Sequence, residues 1–146
     1  MSRLDLSERH LAHPIHAMLG AFPLAVFTAA LVTDITYANS AQMQWANFSV
    51  WLIAWGVIMG IVAAIAGIVD AVVIGRARRR RASALHSVLT IVTFVVAILN
   101  GFVHSRDAWT SVVPTGLILS AITTVLVIVT SWIGFSAADH ARAGAR

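Results

Sequence analysis

The stretch GIVDAVVIGRARRRRASALHSVLTIV, Gly67 to Val92, ends one long apolar run and begins another across a block of five arginines, Arg76, Arg78, Arg79, Arg80 and Arg81. Upstream the run reaches back to Phe48 with Asp70 as its one charged residue, and downstream it continues uncharged to His104. Apolar runs of this length are membrane-spanning helices. A short arginine-rich connection between two of them stays on the cytoplasmic side.

Working outward from that pair, two more runs of similar character appear, one from about Ile15 to Tyr37 and one from about Val112 to Ala138. The spans expected are therefore 15–37, 48–75, 82–104 and 112–138, in one transmembrane domain over residues 1–146. The short connections predict an all-α, integral membrane four-helix bundle running up-down-up-down. Charge sets its orientation. Arg3 and Arg9 precede the first span and Arg142 and Arg146 follow the last, while 33–47 has no basic residue and the other outer loop has only Arg106, beside Asp107. Both termini are expected to be cytoplasmic. Trp45 and Trp109 mark the outer interface and Trp132 the inner one.

Composition agrees. Of 146 residues 59% are hydrophobic and 11% charged, with a mean hydropathy of +0.85, where soluble domains carry about 25% charged residues. The net charge of +4 is concentrated in the arginine block, which reads as a topology signal and a contact for anionic lipid rather than for nucleic acid. With no cysteine, disulfides, thiolate metal sites and iron–sulfur clusters are excluded. The first run is too long for the apolar core of a signal peptide and no small-residue cleavage site follows it, so it is expected to be retained.

Helical spacing identifies the inward faces, because positions 18 apart return to the same azimuth after five turns. His16 and Asp34 are so spaced, with Gly20, Pro23, Phe27 and Ala30 between them on nearly the same line. His86 and His104 repeat the interval, joined by Thr90, Thr93 and Asn100. The second span offers Gly56, Gly60, Ala63 and Gly67, and the fourth Gly116, Ser120, Thr123, Thr130 and Gly134. The Gly56–Gly60 pair has the spacing that lets helix backbones approach closely, within the chain or in a homo-oligomer.

His16, His86 and Asp70 lie at one depth, about one turn in from the arginine-bearing side, with His13 one turn closer to water. Pro14, between the two histidines, suits the first turn of a helix. Gly20, Gly67 and Gly134 would leave room between the helices at the same depth. Ionisable groups at such a depth are expensive, about 2.5–3.5 kcal/mol even on a lenient scale, and mark function. Three chemistries suit them. His16 and His86 can be axial ligands to the iron of a b-type haem. With Asp70 and His13 they can bind zinc or iron, or carry protons or metal ions. Or Asp70 accepts hydrogen bonds from the histidines and no cofactor is held. On the outer side Asp34, Asn100 and His104 form a second, thinner patch about 27 Å away. A lone histidine beside the interface, as His104 is, is expected to be solvated, like His10 and His140 outside the spans.

The ordered set His13-Pro-Ile-His16, Phe22-Pro23, Asp34, Gly67-x-x-Asp70 and His86 resembles the domain of unknown function 2231 family of small four-span bacterial membrane proteins. The resemblance covers roughly His13 to Phe135 and departs at Ala17, where the family often repeats proline. It implies a bacterial inner-membrane protein akin in architecture to two-haem membrane cytochromes, with members accompanying periplasmic sugar-type dehydrogenases. The positions it carries over are His13, His16, Asp70 and His86. On that footing the expected function is an electron-transfer or binding protein rather than a stand-alone enzyme. One haem b would sit between His16 and His86, Asp70 orienting a ligand and His13 near a propionate. Electrons would pass to or from a quinone, a periplasmic dehydrogenase or another membrane subunit. Metal or proton/metal transport, and a non-catalytic packing subunit, are the alternatives.

Overall fold

The computed structural model describes the backbone of residues 3–73, 80–106 and 108–143, and the side chains of 16–69, 72, 84–106 and 109–136. Four long helices follow one another: α1 (Arg3–Ser40), α2 (Met43–Val73), α3 (Arg80–His104) and α4 (Thr115–Ala143), with a 3₁₀ turn at Ala108–Ser111 leading into α4. Among the described residues there is no strand. Each helix contains a stretch long and apolar enough to cross a membrane: His16–Ser40, Met43–Val69, Ala84–His104 and, including the 3₁₀ turn, Trp109–Ser136. The protein is a multi-pass membrane bundle. α1 packs against α2 and α4, α3 against α4, and α2 more lightly against α3. α1 and α3 therefore face each other diagonally across the axis.

What is buried and what is exposed is inverted relative to a water-soluble bundle. Large apolar side chains cover the outside, Trp132 and Met18 at 74% exposure and Phe102 at 69%, because lipid is as apolar as they are. The interior is filled instead by small and polar groups: Ala30, Ala46, Ala63 and Ala97, with Ser49, Thr93, Asn100, Ser120, Thr123 and Thr130. Small side chains let the backbones approach, and van der Waals packing and interhelical hydrogen bonds hold the contacts. On α1 the buried positions are Pro23, Phe27, Ala30, Asp34 and Tyr37, the same line that the 18-residue spacing picks out.

Two local features depart from the sequence reading. Pro14 does not open a helix, since α1 already begins at Arg3. Leu4, Glu8, Arg9, Leu11 and Ala12 are all good helix formers, so the turn before Pro14 forms although the proline withholds one N–H. What approaches Gly56 and Gly60 most closely is an aromatic ring at each. A Cβ on Gly56 would lie 2.4 Å from Phe27 Cε1, and one on Gly60 2.6 Å from Phe94 Cζ. The two glycines are holes for rings from α1 and α3.

Packing is uneven along the axis. Mid-bundle, Phe27, Ala97 and Val127 form an apolar layer backed by Leu24 and Val57. The end carrying Asp34 and His104 is closed by Tyr37, Ala46 and Val112, with Trp109 tilted against Tyr37 at a ring separation of 5.4 Å. Towards the other end the last buried positions are Pro23, Ala63, Thr93 and Thr130, and beyond them no described residue is fully buried.

Candidate functional site

His16 and His86 meet in that more open end. Each is held by the neighbouring helix of its own hairpin. His16 Nδ1 donates to the Ala63 carbonyl of α2 at 2.9 Å, and His86 Nδ1 to the Thr130 carbonyl of α4 at 3.0 Å. Since a carbonyl only accepts, both Nδ1 atoms carry the proton. A backbone carbonyl on the far ring nitrogen is the device that fixes tautomer and orientation in metal-bound histidines.

Each ring also lies on a glycine four residues beyond its carbonyl partner. A Cβ on Gly67 would stand 2.9 Å from His16 Cε1 and 3.2 Å from Nδ1; one on Gly134 would stand 3.0 Å from His86 Cε1 and 3.2 Å from Nδ1. The two seats are copies of each other. The rings face across the axis with centroids 6.4 Å apart and planes at 89°. Gly20, one turn above His16, has nothing within 4 Å of where a Cβ would be. The side chains of His13 and Asp70, and those of His10, His140 and the arginines Arg76 to Arg81, lie outside the described residues. Among the described residues no group of three or more His, Cys, Asp or Glu side chains is placed to hold a metal ion.

The second patch is a buried network. His104 Nε2 lies 3.0 Å from Asp34 Oδ1, with both side chains at 0% exposure. His104 Nδ1 donates to the Asn100 carbonyl at 3.0 Å, and Asn100 Nδ2 donates to Ser120 Oγ at 2.8 Å. A Cβ on Gly116 would come within 2.8 Å of His104 Cε1, so this histidine too sits on a glycine of α4. The expectation that His104 is solvated is corrected. It is buried, and its ring finds a carboxylate inside. Two atoms of the network, Asp34 Oδ2 and Asn100 Oδ1, are buried with no hydrogen-bond partner.

Sequence reasoning missed Ser49, which is fully buried with its hydroxyl 2.7 Å from Thr33 Oγ1. It stands 18 residues before Gly67, as Gly116 stands 18 before Gly134. That interval was the signal available.

No curated protein and no solved structure matches this chain. A family described as predicted membrane protein, DUF2231, matches residues 12–146, which takes in all four spans and both polar patches. The chain belongs to that family.

Proposed function

We propose that His16 and His86 are the axial ligands of one b-type haem, and that the protein is an electron-carrying cytochrome of a bacterial cytoplasmic membrane. The observation that carries this reading is the 6.4 Å between the two ring centroids. Two imidazoles bound in line to one metal, with bonds of about 2.0–2.1 Å and each nitrogen about 1.1 Å from its ring centre, stand about 6.3 Å apart. With both Nδ1 atoms on carbonyls, Nε2 would be the nitrogen that each ring brings to the iron. The glycines beneath the rings, the space beside Gly20 and the lack of fully buried described residues at this end suit a flat, bulky guest.

The bound haem would supply a one-electron centre. The chain's own part is to hold two imidazoles square to each other, keep their tautomer fixed and place them about one turn inside one face. The arginine block favours the cytoplasm for that face and for both termini. A single centre so near one face serves exchange with a quinone or a partner subunit in that leaflet, not transfer across the whole bilayer. The Phe27–Ala97–Val127 layer separates the histidine pair from the Asp34–His104 network, which weighs against a proton path through the axis.

The test is an absorption spectrum of detergent-solubilised protein from haem-replete cells. A Soret band is expected in the native chain and in His104→Ala, and its loss in His16→Ala and His86→Ala with helical content intact. His86→Met should keep the colour and raise the potential, because a Met/His pair favours the reduced iron. A correctly folded, colourless native protein overturns the reading. If it then holds stoichiometric zinc or iron, a metal site replaces the haem. If it is metal-free and co-purifies with another subunit, a packing role does.

A further inference from the structure

The Asp34–His104 network sits in the closed half of the bundle, and its hydrogen bonds can be counted proton by proton. The Asn100 carbonyl can only accept, so His104 Nδ1 is protonated. The 3.0 Å contact between His104 Nε2 and Asp34 Oδ1 then needs one proton, supplied either by an imidazolium or by a carboxylic acid. In both placements the pair is neutral overall. Two acceptors remain, Asp34 Oδ2 and Asn100 Oδ1, on residues only 0% and 1% exposed. A buried acceptor left without a donor costs about 1–3 kcal/mol, and here there are two within one network.

We infer that this network is a binding site for a single buried water, which donates one hydrogen bond to Asp34 Oδ2 and one to Asn100 Oδ1 beside a pair sharing one exchangeable proton. The chemistry selects the ligand. Both orphaned atoms are oxygens, so the occupant must donate. A cation added to a neutral pair would leave an uncompensated charge in a medium of low dielectric, which is strongly unfavourable. A larger hydroxyl-bearing molecule does not suit a site whose two acceptor residues are 0% and 1% exposed. Water has two donors for two acceptors, and buried waters typically bridge polar groups of this kind. The mid-bundle apolar layer separates the site from the His16–His86 pair. The inference is independent of any haem.

Infrared spectra of the purified protein in ordinary water, in heavy water and in water enriched in oxygen-18 test it. The native chain should show an O–H stretching band that shifts with oxygen-18 and a carboxyl or carboxylate band belonging to Asp34. Asp34→Asn should keep the water band, since its amide can bond His104 through nitrogen and leave an oxygen at the Oδ2 position, and should lose the carboxyl band. Asn100→Leu, close in shape but without acceptors, should lose the water band while keeping the Asp34 signal. Absence of any oxygen-18-sensitive difference between the native chain and Asn100→Leu overturns the inference. So does an experimental density map of the native chain, which needs no variant, showing the Asn100 amide turned with its nitrogen on Asp34, or a cation between them.

Discussion

Three described histidines of this chain rest on glycines, and they differ in which helix offers the carbonyl to Nδ1. His16 and His86 bond carbonyls of neighbouring helices, while His104 bonds its own helix and a carboxylate. No property of the side chain itself separates these cases, which is why the spacing of α3 shows that His86 and His104 share a face but not which is solvated. The buried partner of His104 is Asp34, 70 residues away in sequence. Another consequence of a single residue lies at the end of α1. Ala41 has φ of 53°, and its N–H donates to the Tyr37 carbonyl at 2.8 Å, closing the helix with a left-handed residue where glycine is usual. A Cβ in that conformation costs about 1–2 kcal/mol, and the added freedom of glycine in the unfolded chain takes back about 0.5–1 kcal/mol. Ala41→Gly should therefore stabilise the protein by up to about 1.5 kcal/mol, read as a higher unfolding temperature in detergent. A lower one would mean that the turn is held by something other than its own dihedral preference.

At the scale of helices, the glycines of α2 divide by what fills the hole. Gly56 and Gly60 accept Phe27 and Phe94, rings with no escape in a packed mid-bundle, so Gly56→Ala and Gly60→Ala should each lose about 1–3 kcal/mol by overpacking. Thermal unfolding of the solubilised variants measures this. Gly67 accepts His16 at 2.9 Å in the more open end, where a ring can shift. Gly67→Ala should leave unfolding nearly unchanged and, if His16 holds haem as proposed, alter the Soret spectrum and weaken haem retention. Equal destabilisation of all three variants would contradict the division. The pattern of small residues made these faces legible in the sequence: His16, Gly20, Pro23, Phe27, Ala30 and Asp34 lie on the line that turns inward because a helix in lipid buries its small and polar side. Their occupants were not legible. Whether a glycine meets a backbone or a ring depends on the relative height of two helices, which no single helix encodes. Pro14 was misread for a similar reason, since proline marks a helix start only where the preceding residues do not themselves favour helix.

Across the whole molecule the two hairpins repeat one plan. His16 and Asp34 on α1 answer to His86 and His104 on α3, and Ser49 and Gly67 on α2 to Gly116 and Gly134 on α4, every pair 18 residues apart. Each tier then has four positions, two facing side chains and two seats beneath them. The tier near His16 has two histidines on two glycines; the other has one histidine on Gly116, with Asp34 and Ser49 where the second histidine and its glycine would be. Replacing both, Asp34→His with Ser49→Gly, should complete a second imidazole pair. Packing rather than ligand identity decides what that pair can bind. The tier lies in the closed half, between the Phe27–Ala97–Val127 layer and the Tyr37–Val112 cap, where a macrocycle has no slot. A bare divalent ion fits no better: without Asp34 the two imidazoles and the buried Asn100 Oδ1 are all neutral, and the charge of the ion would stand uncompensated in a medium of low dielectric. The double variant should therefore fold and take up neither a second haem nor zinc or cobalt, as read from its absorption spectrum and elemental analysis. If it folds and gains a second haem, the closed half is looser than its packing implies. If it folds and takes up zinc or cobalt, that half admits a counter-charge that its packing is argued to exclude.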